Sequence, residues 1–196
     1  MGASLMNMTS FLIYCFIITV TPGPTNIDIL STVNQQGTKR AMAYTYGATI
    51  AFGLLLTISA ILNTMLIMVI PKLLLVMQVI GSMYMLYLAY QIYKIEQSKP
   101  ITKRTGTFMA GFLMQFLNPK VVTFTLTVIP TFILPYYSAM PAMTISVITI
   151  TSIGFIAFML WVLFGTIFKR FLQRHEKVVN SVMALFLAYA AIIIWI

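Results

Sequence analysis

Two proline motifs interrupt long apolar runs of this sequence, and each brings together groups that can bind an anion. The first is TPGPTN, from Thr21 to Asn26, and the second is NPK, from Asn118 to Lys120. Proline has no N–H and clashes with the preceding turn, whereas threonine or asparagine before proline is typical of a helix N-terminus. Each motif therefore predicts a half-helix that starts inside an apolar segment, with Thr21 and Asn118 as N-caps. Free N–H groups at such a start bind carboxylates and other anions.

Two ionisable residues lie close to these motifs. Lys120 follows Pro119 directly, and Asp28 lies six residues after Pro22. An intramembrane charge is costly unless it is paired or hydrated, so both residues are functional candidates. Lys120 could hold a substrate carboxylate or pair with Asp28 as a structural link. Asp28 could carry a coupled proton, bind a substrate amine, or be solvated at the inner end of its helix.

The elements that carry these residues are apolar segments long enough to cross a membrane. Of the 196 residues, 60% are hydrophobic and only 8% are charged. A soluble domain carries roughly 25% charged residues. Apolar runs of about 20 residues in such a chain indicate an all-α polytopic membrane protein.

Six spans are predicted, with polar or proline-containing breaks between them. The spans are residues 8–33, 41–63, 72–93, 108–134, 142–168 and 178–196. The breaks fall at NQQGTKR, Pro71-Lys72, KIEQSKPITKR, PYYSAMP and KRFLQRHEK. Helices 1 and 4 are predicted to be broken by the two motifs. The short breaks leave no room for a second domain, so residues 1–196 are predicted to form a single transmembrane domain.

The basic residues indicate the orientation of these spans. The loops after spans 1, 3 and 5 carry ten lysines and arginines, whereas the opposite side carries Lys72 alone. The ten are Lys39, Arg40, Lys94, Lys99, Lys103, Arg104, Lys169, Arg170, Arg174 and Lys177. Because basic loops stay in the cytoplasm, both termini are predicted to lie outside. The basic residues of these cytoplasmic loops explain the net charge of +9, so nucleic acid is not a predicted partner.

The two halves of the chain are predicted to form a 3+3 inverted-topology repeat. With three spans each, repeat 1 (about residues 1–95) and repeat 2 (about residues 105–196) enter the membrane from opposite sides. Pro22 and Pro119 are 97 residues apart, at similar depths in spans 1 and 4. Matched broken helices are typical of secondary transporters, whose substrate sites lie near the bilayer midplane between the repeats.

Uncharged residues on the predicted spans give two weaker signals. Gln115 lies three residues before Asn118, which places both on one helix face. Ala43, Gly47 and Ala51 form a small-residue stripe on span 2, which allows close packing on a helix of the same chain or of a second subunit. A homodimer is therefore a candidate assembly.

Several other functions find little support in these residues. Intramembrane enzymes need a serine–histidine pair, paired aspartates or a histidine-containing zinc site, and this chain has one histidine and one aspartate. Cys15 is the only cysteine, which excludes dithiol redox chemistry and favours an apolar packing role. No cofactor is predicted. A passive channel is the main alternative to a carrier, and metal-ion export is less favoured because the spans offer few metal ligands.

The motifs and their neighbours resemble the LysE/RhtB family of amino-acid exporters over essentially the whole chain. The resemblance rests on TPGPTN in span 1, QGTKRAMAYTYGATIAF in span 2, IGSMYMLYLAYQIYK in span 3 and GFLMQFLNPK in span 4. Asp28, Ala43 and the threonines after Lys120 depart from the family pattern. The positions that match the family motifs are Thr21, Pro22, Gly23, Pro24, Asn26, Asn118, Pro119 and Lys120.

This resemblance implies a bacterial inner-membrane exporter of amino acids or similar small metabolites, driven by a proton or ion gradient. The prediction is a secondary active exporter in membrane lipid, working by alternating access and coupled to protons. Its predicted substrate-binding residues are the eight motif positions and Gln115, with Asp28 as the coupling candidate. In this hypothesis a substrate carboxylate binds at the two half-helix N-termini near Thr21, Asn118 and Lys120.

Overall fold

The computed structural model describes residues 8–94, 106–137, 139–193 and 195, without the side chains of 63–75, 77 and 193. Residues 95–104 of the predicted break KIEQSKPITKR and the side chain of Lys72 lie outside this description. The described ranges are helical and contain no strand. The all-α fold class predicted from composition is confirmed for them.

Nine α-helices follow one another in these ranges. They are α1 Met8–Val20, α2 Pro24–Gln36, α3 Thr38–Ile61, α4 Asn63–Tyr93, α5 Phe108–Leu117, α6 Pro119–Val128, α7 Met140–Ile167, α8 Lys169–Arg174 and α9 Glu176–Ile193. A π-helical segment, Ile129–Ile133, continues α6.

Both proline motifs break a helix, as predicted. Among the described residues, α3 and α7 are each long and apolar enough to cross a membrane. The pair α1 and α2 passes the same test with a bend of 52°, and α5 with Pro119–Ile133 passes it with a bend of 70°. The described residues therefore contain up to four candidate spans.

Two predicted breaks differ from the structure. The chain turns at Leu62 and not at Pro71-Lys72, because α4 begins at Asn63 and continues through residue 71. Backbone groups left free in an apolar environment are costly, so a helix continues past a single proline when its neighbours supply the remaining hydrogen bonds. The predicted break KRFLQRHEK contains a short helix, α8.

The two halves of the chain pack on each other in a matched way. Helix α3 contacts α5 and α6, helix α7 contacts α1 and α2, and α4 packs against α9. Helices α3 and α5 cross with their backbones in contact. A Cβ atom at Gly47 would clash with the Phe108 carbonyl oxygen, and one at Gly111 would clash with that of Tyr44. Gly47 of the small-residue stripe therefore packs against α5 of the same chain.

Candidate functional site

The first break separates α1 from α2 at Thr21 to Gly23. The prediction that Thr21 is the N-cap of the second half-helix is wrong, since α2 begins at Pro24 with Gly23 in extended conformation as its N-cap (φ −168°, ψ 175°). Thr21 instead closes the last turn of α1, because its N–H donates to the Ile17 carbonyl oxygen (3.0 Å). No described side chain caps the first turn of α2. The N–H groups of this turn are therefore free of side-chain acceptors.

The carbonyl groups at the end of α1 are held by side chains from other helices. The Nδ2 group of Asn26, on α2, donates to the carbonyl oxygens of Thr19 (3.0 Å) and Thr21 (2.9 Å). The Nε1 group of Trp161, on α7, donates to the Val20 carbonyl oxygen (2.9 Å). A helix end inside an apolar protein needs such donors, because it has no water to satisfy its last carbonyls.

Lys120 is the cation that joins the two breaks. Its Nζ group donates to the carbonyl oxygen of Thr21 (2.8 Å) and to the Thr21 hydroxyl (2.7 Å). The end of a helix carries partial negative charge, so an ammonium group is favourable there. The lysine stem passes over Gly23, where a Cβ atom would lie 3.3 Å from Lys120 Cδ. The alternative in which Lys120 pairs with Asp28 is not observed, because the Asp28 carboxylate accepts from Tyr44 Oη instead (3.1 Å).

The second break has the predicted N-cap. Asn118 precedes Pro119, the first residue of α6, and Asn118 Oδ1 accepts from the N–H groups of Lys120 (3.1 Å) and Val121 (3.4 Å). The N-terminus of α6 is therefore already capped, in contrast to that of α2. Helix α4 packs directly on this break, since a Cβ atom at Gly81 would lie 2.6 Å from Pro119 Cδ.

Thr25 connects the two breaks through its hydroxyl group. Asn118 Nδ2 donates to Thr25 Oγ1 (2.9 Å), and Gln115 Nε2 donates to the same oxygen (3.0 Å). All three side chains are buried. Thr25 is absent from the predicted site, although it lies within TPGPTN. Buried polar groups are costly unless they are bonded, so this cluster fixes the register of α2 against the second break.

Two cavities meet at Gly23 and Lys120. The larger has a volume of about 670 Å³ and lies between the first break, the start of α6, and residues of α4 and α9. This volume is within the range of roughly 300–1,000 Å³ that is usual for small-molecule sites. The smaller cavity, about 20 Å³, shares Gly23 and Lys120 with the larger one and is also lined by Asn26 and Asn118.

Residues 16–196 match the model of a protein family described as LysE type translocator. The chain belongs to this family. The matched region contains both breaks and all the residues that line the two cavities except Tyr14, and the predicted family resemblance is confirmed. The translocator is accordingly a membrane transporter and not an enzyme.

Relatives of known name cover almost the whole translocator. A cysteine/O-acetylserine efflux protein of Klebsiella pneumoniae subsp. pneumoniae is 33% identical over 190 residues, which cover 94% of this chain and 95% of that protein. Proteins of the same name from Escherichia coli K12 and Shigella flexneri serotype 5b are 28% identical over 191 residues, again covering 94% of this chain and 95% of theirs. No solved structure matches the translocator.

Most of the predicted site residues of the translocator line one of the cavities. Those at the larger cavity are Thr21, Pro22, Gly23, Pro24, Pro119 and Lys120, and those at the smaller are Gly23, Asn26, Asn118 and Lys120. Gln115 shares a face with Asn118, as its spacing predicts, but it is fully buried and lines neither cavity. Asp28 is also buried and lines neither. Within the described ranges, no group of three or more His, Cys, Asp or Glu side chains is placed to hold a metal ion.

Sequence reasoning missed several cavity residues of the translocator. Tyr14 of α1 and Phe124 and Thr127 of α6 line the larger cavity. A signal for the two α6 residues is present in the sequence, because positions four and seven after Lys120 share one face of a helix. Tyr14 has no comparable local signal.

Proposed function

We propose that this translocator is a secondary active exporter of amino acids or related small metabolites across the bacterial inner membrane. The observation that carries the proposal is the position of Lys120, a membrane-embedded cation on the wall of a 670 Å³ cavity between two helix breaks. The relatives named cysteine/O-acetylserine efflux proteins support small amino acids as the substrate class. Export then needs a site that reaches each side of the membrane in turn.

The proposed architecture is a single domain, residues 1–196, with six spans in two inverted repeats of about residues 1–95 and 105–196. The matched contacts support it: α3 packs on the broken helix of the second half, and α7 packs on that of the first. The bends of 52° and 70° fall at corresponding places in the two halves. Inverted repeats of this kind rock against each other around a central site.

The proposed orientation has cytoplasmic basic loops and both termini outside. Exposed basic residues of separate segments support it by meeting at one end of the described bundle. The Thr38 hydroxyl, next to Lys39 and Arg40, lies 3.0 Å from the Thr166 hydroxyl near the end of α7. Helix α8, which carries further basic residues, packs against α2 at the same end. Clustering of basic residues on one side is the expected cytoplasmic signature.

The substrate carboxylate binds at Lys120 and at the first turn of α2 in this proposal. The first turn of α2 has no side-chain cap, and Gly23 and Pro24 line the larger cavity. The Asn118 side chain caps the N-terminus of α6, so this helix end does not bind the carboxylate as predicted. The ammonium group of Lys120 binds it instead in this proposal. A carboxylate that accepts hydrogen bonds from an ammonium group and from oriented N–H groups is held by strong, charge-assisted bonds.

Binding of that carboxylate competes with Thr21 for Lys120. In the structure Lys120, from the second half of the chain, is bonded to the end of α1 in the first half. A carboxylate that takes over the ammonium group releases this contact and allows the two halves to move. The substrate thereby favours a second conformation through its differential contacts, which is what alternating access requires.

Proton coupling is assigned to Asp28 in this proposal. Its carboxylate is buried and accepts a hydrogen bond from Tyr44 Oη, and the described residues place no cation in contact with it. A buried carboxylate with a neutral partner changes its charge when its environment opens to water. Asp28 lies one turn after Thr25 on α2, so a movement of α2 changes the surroundings of both residues.

Counterflow in proteoliposomes tests the proposed exporter. In vesicles preloaded with unlabelled L-amino acid, a carrier exchanges the two pools, and labelled amino acid accumulates transiently above its external concentration. A passive channel only equalises the concentration of the label on the two sides. We expect counterflow by the wild-type protein and its loss in Lys120→Ala. Lys169→Ala, a basic residue that lines neither cavity, is the matched control and should behave like the wild type. Wild-type counterflow in Lys120→Ala would contradict the proposed site.

A further inference from the structure

Two adjacent apolar grooves lie on the surface formed by α7 and α9. The first groove has a volume of about 490 Å³ and extends along α7 over residues 160–168. The second groove has a volume of about 250 Å³ and extends along α9 over residues 178–186, with α2 and α7 forming its other walls. Trp161 and Phe164 line both grooves, so the two grooves meet at these rings.

The walls of the two grooves offer no free polar side chain. Every lining residue is apolar except Trp161, and the Trp161 Nε1 group donates to the Val20 carbonyl oxygen (2.9 Å). Leu163, Ile167 and Val178 are each more than half exposed. A charged substrate has no partner in such walls, because a charge is costly in an apolar environment unless it is paired. A hydrocarbon chain fits them.

The length of the grooves matches one leaflet of a bilayer. Each groove spans eight residue steps of a helix, or about 12 Å at about 1.5 Å per step. One leaflet contributes roughly half of the 30 Å hydrocarbon core. Both grooves reach the first helix break at one end, where Val20 lines the first groove and Pro22 lines the second. Two adjacent grooves of this length suit the two acyl chains of one phospholipid.

Basic residues lie at the opposite end of both grooves. The stretch KRFLQRHEK connects Phe168 of the first groove to Val178 of the second. It contains one acidic residue, Glu176, and four basic residues. These four are Lys169, Arg170, Arg174 and Lys177. Within the described ranges their side chains have no ion-pair or hydrogen-bond partner. Basic clusters next to membrane helices attract anionic lipid headgroups.

We propose that the two grooves bind one anionic phospholipid with two acyl chains, such as phosphatidylglycerol. Its phosphate lies at KRFLQRHEK, and its chains occupy the two grooves that share Trp161 and Phe164. A lipid without net charge gains the same apolar contacts but lacks the attraction of the unpaired basic residues. Each basic residue near the membrane surface increases binding of an anionic lipid by about fivefold. The site differs from the carboxylate site at Lys120 and does not depend on the identity of the substrate.

Quenching of Trp161 fluorescence by brominated lipids tests the site directly. Trp195→Phe leaves Trp161 as the only tryptophan of the chain. The vesicles contain phosphatidylglycerol and phosphatidylcholine in varied proportions, with bromine on the acyl chains of one of the two lipids. We expect half-maximal quenching at a mole fraction at least threefold lower for phosphatidylglycerol than for phosphatidylcholine. Equal mole fractions would overturn the anionic site. Absence of quenching by either lipid would also overturn it, and would indicate that a second copy of the chain covers this surface.

Neutral substitutions separate the effect of charge from that of apolar contact. Arg170→Gln/Lys177→Gln, made in the same single-tryptophan background, keeps both grooves and removes two of the four basic residues. We expect the preference for phosphatidylglycerol to fall below twofold, while quenching by brominated phosphatidylcholine stays unchanged. Arg40→Gln/Lys94→Gln is the charge-matched control, because both residues are exposed and line neither groove. An equal loss of preference in the two variants would contradict a site at KRFLQRHEK.

Bromine in one acyl chain at a time tests whether both grooves are occupied. Because Trp161 lines both grooves, phosphatidylglycerol brominated only in its sn-1 chain or only in its sn-2 chain should quench in each case, with the preference retained. The assay contains no amino acid, so its result is independent of the proposed transport function. Quenching by only one of the two brominated chains would overturn the placement of a chain in each groove.

Discussion

Lys120 reaches the end of α1 and donates two hydrogen bonds to Thr21, 99 residues earlier in the chain, at 2.8 Å to its carbonyl and 2.7 Å to its hydroxyl. A single side chain thus joins the broken helix of the second half to that of the first. The same ammonium group lines the larger cavity. In the proposed exporter it therefore has two alternative partners, the end of α1 and the substrate carboxylate.

Thr21→Val tests this competition, because valine removes one of the two acceptors that hold Lys120. A hydrogen bond to a charged group contributes roughly 1.5–3 kcal/mol when fully formed, and part of this becomes available for substrate binding. We expect the half-saturating concentration for amino-acid counterflow to fall about threefold or more. Thr49→Val is the control, since the Thr49 hydroxyl donates within α3 and lines neither cavity. Weaker binding by Thr21→Val would indicate that the Thr21 hydroxyl contacts the substrate itself.

Asn118→Ala removes both the cap of α6 and the link to Thr25. Loss of an asparagine N-cap costs about 1–2 kcal/mol, and the Thr25 hydroxyl loses a buried donor as well. We expect a lower temperature of thermal unfolding in detergent and a loss of counterflow. Thr107→Ala removes the N-cap of α5, where the Thr107 side chain accepts from the Ala110 N–H. It should lower the unfolding temperature less and retain transport, and a similar loss of transport in both variants would argue against a specific function of Asn118.

Gly81→Ala tests the close packing of α4 on the second break. The new Cβ atom would lie 2.6 Å from Pro119 Cδ and 3.2 Å from the Leu117 carbonyl oxygen, so the break has to move. Overpacking of this kind costs about 1–3 kcal/mol. We expect reduced thermal stability and reduced counterflow. Gly53→Ala is a milder control, because its Cβ atom would meet only the Thr151 side chain, at 3.2 Å, and equal destabilisation by the two substitutions would refute the tight contact.

Asp28→Asn tests the assignment of proton coupling. Asparagine can still accept the hydrogen bond from Tyr44 but has no titratable charge. We expect counterflow to persist while accumulation driven by an imposed proton gradient is lost. Tyr44→Phe removes the hydrogen-bond donor and keeps the carboxylate, so gradient-driven accumulation should persist there. Undiminished accumulation in Asp28→Asn would exclude this residue as the proton carrier.

The sequence alone predicts the features that depend on neighbouring residues. Apolar runs of sufficient length predict membrane helices, and the motifs TPGPTN and NPK predict breaks because proline removes a backbone donor and each motif adds a residue that favours a helix start. Proline alone is not sufficient, since α4 continues through Pro71. Asn118 before Pro119 identifies the N-cap of α6, and the motif set identifies the family. Each of these properties is local, so no knowledge of the fold is needed.

The tertiary structure decides which chain segments complete the site. Thr21 could have been the N-cap of α2, but Asn26, Trp161 and Lys120 supply donors to the end of α1, and α2 starts at Pro24 with Gly23 as its N-cap. Thr25 becomes the link between the breaks only because α2 lies against the second half of the chain. Apart from Asn26, which lies five residues after Thr21, the donors and acceptors concerned are 90 residues or more apart. Such pairings depend on how the two halves pack, and local sequence preferences contain no information about that packing.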